Sequence, residues 1–171
     1  ASFLFTFLMF GFGVVGAVAP LVSQAVGARK PREVRRSVRQ GLWVSIALSA
    51  LMIPVAREGA AFLAWTGQSG QAVDLSATYL QFAVWMLPTA LGAMTLRPLL
   101  ATHGAQRTVL HVTLAGVVLN AGLNWVLMFG NFGFPRLELA GVGISTAVVS
   151  LAMFGALLRV ALTRRGMRRY A

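Results

Sequence analysis

Apolar residues run along this chain in five long blocks separated by short polar or charged stretches. The blocks cover roughly 2–26, 41–56, 75–96, 109–129 and 140–162. A helix crossing about 30 Å of hydrocarbon needs roughly 20 apolar residues, so each block predicts a membrane span. The second is short as an apolar run and is expected to continue through 60–65 or to tilt. A closed barrel would need alternating strands of about ten residues, and no such alternation occurs. Backbone in lipid must satisfy its own hydrogen bonds, so the expectation is an all-α, polytopic transmembrane bundle of five spans.

Within the blocks, polar residues fall at helical spacing. Thr113, Gly116, Asn120 and Asn124 recur at i, i+3, i+7 and i+11, on one face of the fourth span. Thr78, Gln81, Trp85, Thr89 and Gly92 form a similar stripe on the third, with Pro88 beside it. The fifth carries Gly143, Thr146 and Ser150, and the second Ser45, Ser49 and Met52. An unpaired amide costs roughly 4–8 kcal/mol in a solvent that cannot hydrogen-bond. The stripes are therefore expected to face one another or a watery cavity. For Asn120 and Asn124 the spacing leaves two readings open. One is interhelical hydrogen bonding, worth about 0.6 kcal/mol on average; the other is a cavity wall offering amides to a cation or ligand. Asn120 falls near the middle of its span, where transporters place their sites. Prolines 20, 54 and 88 lie within or late in spans and are expected to kink them.

Charge refines this picture. Only 11% of the 171 residues are charged, against 57% hydrophobic, where a soluble domain carries about 25% charged residues. The net charge is +11. Its residues sit at the edges of apolar blocks, not along one helix face or in a tail, so nucleic acid is not an expected partner. Thirteen of the fifteen Lys and Arg residues fall in alternate connections: residues 29–39, Arg97 with Arg107, and 159–169. Arg57 and Arg136 lie at the other ends, near Glu58, Asp74 and Glu138. The positive-inside rule then makes the basic ends cytoplasmic, in a cell inner membrane. No Asp, Glu, Lys or Arg lies deep in a span; Arg97 can snorkel to the surface. An ion-coupled pump normally needs an intramembrane ionisable group, so this sequence is not expected to hold a complete coupling site of that kind. The first residues, ASFLFTFLMFGFG, are apolar at once and unlike a signal peptide. A piece of a longer protein that begins in or beside a spanning helix is the expectation.

Motifs for other chemistry are absent or out of context. GFGVVG (residues 11–16) matches a dinucleotide-binding fingerprint, but no strand precedes it and no acid follows at the required distance. Helix packing explains it better, with Gly13 and Ala17 at i, i+4 as the expected contact. There is no cysteine, and neither His103 nor His111 has a second ligand at metal spacing. Walker A, G-x-S-x-G and H-E-x-x-H patterns do not occur. Neither an enzyme nor a cofactor is expected.

Several stretches in order resemble the multidrug and toxic compound extrusion (MATE) family, in its NorM-like branch. APLVSQAVGARKPREVRRSVRQGLW resembles the end of that family's second helix and the basic loop after it. YLQFAVWMLPTALGAMTLRPLL resembles its fourth helix, with Tyr79, Pro88 and Arg97 in order. GVVLNAGLNWVLMFGNFGFPRLELAGVGISTAVVS resembles its fifth and sixth: an Asn pair, glycines leading to a proline, a Gly-rich start and a threonine. The sequence departs from the family after Arg97, where Leu100, Ala101 and Thr102 replace a frequent Glu-Gly. The resemblance covers nearly the whole chain, as helices two to six of a twelve-helix protein with two lobes. It implies export of cationic or amphipathic drugs in exchange for sodium ions or protons. It also implies that Asn120, Asn124 and Thr146 line a cavity in the N-terminal lobe; Gln81 and Trp85, from the third-span stripe, are expected to line the same substrate or cation cavity. The first helix, which carries the family's cation-binding aspartate, and the C-terminal lobe would be the chain's partners. A lipid-linked oligosaccharide or lipid II flippase of the same fold is the nearest alternative, though basic residues are expected in its cavity. A structural membrane subunit and a membrane-embedded transferase are others.

Overall fold

The computed structural model describes residues 2–58, 70–129 and 137–163. Seven helices follow one another there: α1 (Ser2–Gly16), α2 (Val18–Gly27), α3 (Pro31–Arg57), α4 (Gly70–Ala83), α5 (Met86–Thr102), α6 (Gln106–Phe129) and α7 (Glu138–Thr163). α1 with α2 gives one candidate span, Phe5–Gly27; α3 and α6 give one each, and so does Leu139–Thr163 of α7. α4 and α5 together make a fifth, bent by 46°. No described residue lies in a strand. The architecture is the all-α, five-span bundle that the apolar blocks predict.

The second span is longer than its apolar block. Its helix begins at Pro31, so the basic stretch expected to be a connection is helical. Arginine is a good helix former, and proline suits a first helical position, where no N–H is needed. Lys30, held before a proline, takes φ −104° and ψ 86° and marks the boundary. Arg32, Arg35, Arg36 and Arg39 consequently lie on a helix and are all exposed, so charge does run along one helix face. Residues 60–65, 130–136 and 164–171, with Arg136 and the Gly-Pro part of the family resemblance, lie outside the described residues.

Two turns close the basic end, and both use one device. Arg29 N–H bonds to the Val26 carbonyl at 3.0 Å and Lys30 N–H to Ala25 at 3.0 Å. Gly104 N–H reaches Ala101 at 3.1 Å and Ala105 N–H reaches Leu100 at 2.9 Å. Each is a Schellman cap, which satisfies the last helical carbonyls through one left-handed residue. That residue is Gly104 in one (φ 70°) and Arg29 in the other (φ 55°).

The breaks within spans trace to proline. Pro88 cannot donate to the Val84 carbonyl and its ring crowds it. Val84 accepts instead from Leu87 N–H at 3.1 Å, in a tightened turn between α4 and α5. Pro20 stands in the same relation to Gly16, the last residue of α1.

The buried residues form two clusters. One, at the basic end, joins Val18, Val22, Val34, Val38, Leu96, Leu99, Leu100 and Leu157 from four spans. The other, near the far end, joins Leu8, Met52, Ala56, Leu80, Val84 and Leu87. In lipid the hydrophobic effect does not drive helices together, and close packing around small residues replaces it. A Cβ on Gly143 would lie 2.9 Å from the Tyr79 carbonyl oxygen, and one on Gly141 2.9 Å from the Leu127 backbone. These two glycines let α7 touch α4 and α6. Gly11 is the packing glycine of α1, 2.7 Å from Leu91 by the same measure. Gly13 has nothing within 4 Å and Ala17 is exposed, which corrects the contact expected of that pair. The outer surface is apolar: Trp43, Leu51, Val117, Val118 and Phe10 are each more than half exposed.

Candidate functional site

Of the two arrangements expected of the polar stripes, two pairs of spans show the first: their polar residues face one another across helix seams. On α3, Ser45 and Ser49 are almost fully buried, between the two apolar clusters. The Ser45 and Thr95 hydroxyls lie 3.1 Å apart, and each can also donate to its own helix, Ser45 to Gly41 at 2.8 Å and Thr95 to Leu91 at 3.2 Å. Gly41 makes this approach of α3 and α5 possible, because a Cβ there would sit 2.6 Å from Thr95 Cγ2.

A second seam joins α6 to α7. Asn124 Nδ2 donates to Asn120 Oδ1 at 2.9 Å. The fully buried Ser145 hydroxyl donates to Asn124 Oδ1, with the Val142 carbonyl 2.9 Å away as its alternative acceptor. Gly116, one turn below Asn120, faces Met153 of α7. The fourth-span stripe therefore lies against the fifth span. Asn120 and Asn124 are only half-buried, and among the described residues the Asn120 amide nitrogen has no protein acceptor. Thr146 is also half-buried, and its hydroxyl is taken up by Val142 at 2.8 Å. Ser145, which ties the two helices together, escaped the sequence reading. Its position one turn from Gly141 in a Gly-rich helix start was the available signal.

Gln81 and Trp85 are not part of this seam. Both are exposed on the surface near the α4–α5 break. The bend carries the upper half of the third-span stripe away from the lower half, so Thr78, Gln81 and Trp85 share no buried face with Gly92. The Trp85 ring instead lies 5.7 Å from the Arg57 guanidinium at the end of α3, within cation–π range.

A cavity lies elsewhere among the described residues, towards the basic end. It holds about 620 Å³, within the range of small-molecule sites. α1 and α2 bound it with Phe12, Val15, Gly16 and Ala19, and α5 with Ala90, Ala93, Met94, Arg97, Pro98 and Ala101. Gln106 and Val109 of α6 and Ser150 and Met153 of α7 complete it. None of Asn120, Asn124, Thr146, Gln81 or Trp85 is among these. Five alanines and glycines open the space, and Pro98 has no N–H for the Met94 carbonyl on the same wall. Arg97, exposed within α5, stands on that wall, so the described spans do present a basic residue to a cavity. The sequence signal was a run of small residues on helices whose adjacency could not be known.

The histidines take ordinary places. His103 Nδ1 lies 2.9 Å from the Leu99 carbonyl at the end of α5, and His111 is exposed on α6.

A family model described as MatE matches residues 1–126. The chain belongs to the MatE family. Relatives named "Probable multidrug resistance protein NorM" agree with it along almost its whole length. The one from Bradyrhizobium diazoefficiens is 37% identical over 166 residues, 97% of this chain. Those from Rhizobium meliloti and a Synechococcus species are 39% and 36% identical, over 94% and 99% of it. The chain spans 36%, 34% and 37% of these three relatives' own lengths, about a third. As a MatE protein it is a multi-pass membrane protein of a multidrug efflux transporter family.

Proposed function

We propose that this MatE chain is helices two to six of the N-terminal lobe of a cation-coupled multidrug exporter. The exporter moves cationic or amphipathic compounds outward in exchange for sodium ions or protons. The observation that carries this reading is the 620 Å³ cavity, walled by small and apolar side chains in a chain whose relatives bear a multidrug name. That name, and not the charge of the cavity, favours drug efflux over lipid flipping, since Arg97 stands on its wall.

Asn120, Asn124 and Thr146 supply neutral oxygen and amide ligands in this scheme. The Asn120 amide nitrogen, without an acceptor among the described residues, and the half-burial of all three support that role. The described spans place no carboxylate beside them; Asp74 is exposed near the start of α4 and Glu58 follows α3. A carboxylate from another helix of the whole exporter completes the cation site, and the C-terminal lobe completes the drug path. A cation and a drug then drive the transporter between its two faces only through different affinities for each. The basic ends face the cytoplasm of an inner-membrane protein, as the positive-inside rule directs.

Replacing Asn120 by Ala in the whole exporter tests the assignment. Efflux of a cationic dye is expected to fall by roughly fivefold to tenfold, the loss of about one hydrogen bond, with membrane abundance unchanged. Undiminished efflux, or a loss of folded protein before any loss of rate, would return Asn120 to a packing role.

A further inference from the structure

The first turns of α3 form a stripe that neither the cavity nor either polar seam uses. Arg32, Arg36, Arg39, Trp43, Ile46 and Ala50 recur at spacings of four and three, so they follow one line along the helix. All six are exposed, and Trp43 is 66% exposed. Arg35 flanks the line. The buried face, with Val34, Val38, Gly41 and Ser45, points well away from it. Charge and apolarity thus lie on the same outward face, divided between Arg39 and Trp43. That is the order of a bilayer: arginines at headgroup depth, an amphipathic ring at the interface, aliphatic side chains in hydrocarbon. From Arg32 to Arg39 the rise is about 10 Å, enough to span one headgroup layer of about 5–8 Å. Lys30 stands apart, ion-paired to Glu33 at 2.9 Å.

We propose that this stripe is a binding site for anionic phospholipid headgroups, with the acyl chains running past Trp43 and Ile46. Arginine's planar fork meets a phosphate through two parallel hydrogen bonds, and its charge favours a phosphatidylglycerol-type headgroup over a zwitterionic one. The site fixes the depth of the α2–α3 hairpin in the leaflet and does not depend on what the protein transports.

Competitive quenching by brominated lipids tests this. The whole chain, with Trp65, Trp85 and Trp125 replaced by Phe, is reconstituted into phosphatidylcholine containing brominated phosphatidylglycerol or brominated phosphatidylcholine. Trp43 should report a preference for phosphatidylglycerol of about fivefold, the worth of one engaged basic side chain. The preference should disappear in R32Q/R35Q/R36Q/R39Q, survive in the corresponding fourfold Lys variant, and shrink as salt is raised. If the Gln variant loses its helical circular dichroism, the salt series on the parent decides alone. Equal quenching by the two lipids, a preference indifferent to salt, or one that persists in a folded Gln variant overturns the proposal. Abolition by added glycerol phosphate also overturns it, as that would mark a site for free phosphate.

Discussion

Arg29 and Gly104 do the same job with different residues, and the difference can be measured. Each is the left-handed residue of a Schellman cap at the basic end. A side chain in that conformation costs roughly 1–2 kcal/mol, from which glycine is exempt. Arg29→Gly is therefore expected to stabilise the chain by about 0.5–1 kcal/mol, and Gly104→Ala to destabilise it by about 1 kcal/mol. Denaturant titration in detergent, followed by circular dichroism, reads both. Equal and negligible effects would mean that the two turns are not held as described. The sequence hinted at the second turn through its glycine but not at the first, because Gly27 stands two residues too early to be the cap. The pairing of Asn124 with Ser145 was equally hidden. Asn120 and Asn124 at i, i+4 could be read as one polar face, but the partner sits 21 residues on, in another span, and only the close approach at Gly141 brings it near.

For whole elements, apolar length was enough to place five spans, and Pro88 was enough to mark a kink in the third. The start of α3 was misread because clustered arginines resemble a loop, whereas arginine tolerates a helix and Pro31 begins one. The packing glycines were also misassigned on α1. Spacing identifies small residues, but which of them meets a neighbour depends on how the helices are turned, so Gly11 does the work expected of Gly13. Two alanine substitutions separate the cases. Gly143→Ala drives a methyl group towards the Tyr79 carbonyl and the Phe82 Cβ, and should cost about 1–3 kcal/mol, as overpacking does. Gly13→Ala meets nothing within 4 Å and should be neutral or stabilising by up to about 1 kcal/mol. Thermal unfolding of both variants in one detergent gives the comparison; a Gly143 variant as stable as the parent would contradict the close α4–α7 contact.

Together, the described residues combine an apolar exterior along the spans, hydroxyl and amide seams between helices, and a cavity near the basic end. The cavity was the least legible feature, since its wall comes from α1, α2, α5, α6 and α7 and its chemistry is mostly the absence of large side chains. Family membership was legible in motifs, and the match over residues 1–126 agrees with them. The described spans hold no buried acid, and from this the isolated 171-residue chain is expected to give no ion-dependent efflux. Robust efflux by it alone would require a coupling site that uses none of the described carboxylates in a span. The proposed cation-coupled export is tested most directly by transport in sealed vesicles, using the full natural polypeptide in which this sequence occurs. A cationic dye should move against an imposed sodium or proton gradient and stop when the gradient is collapsed. Folded protein that moves no dye under either gradient, and instead carries a lipid-linked saccharide across the bilayer, would contradict it.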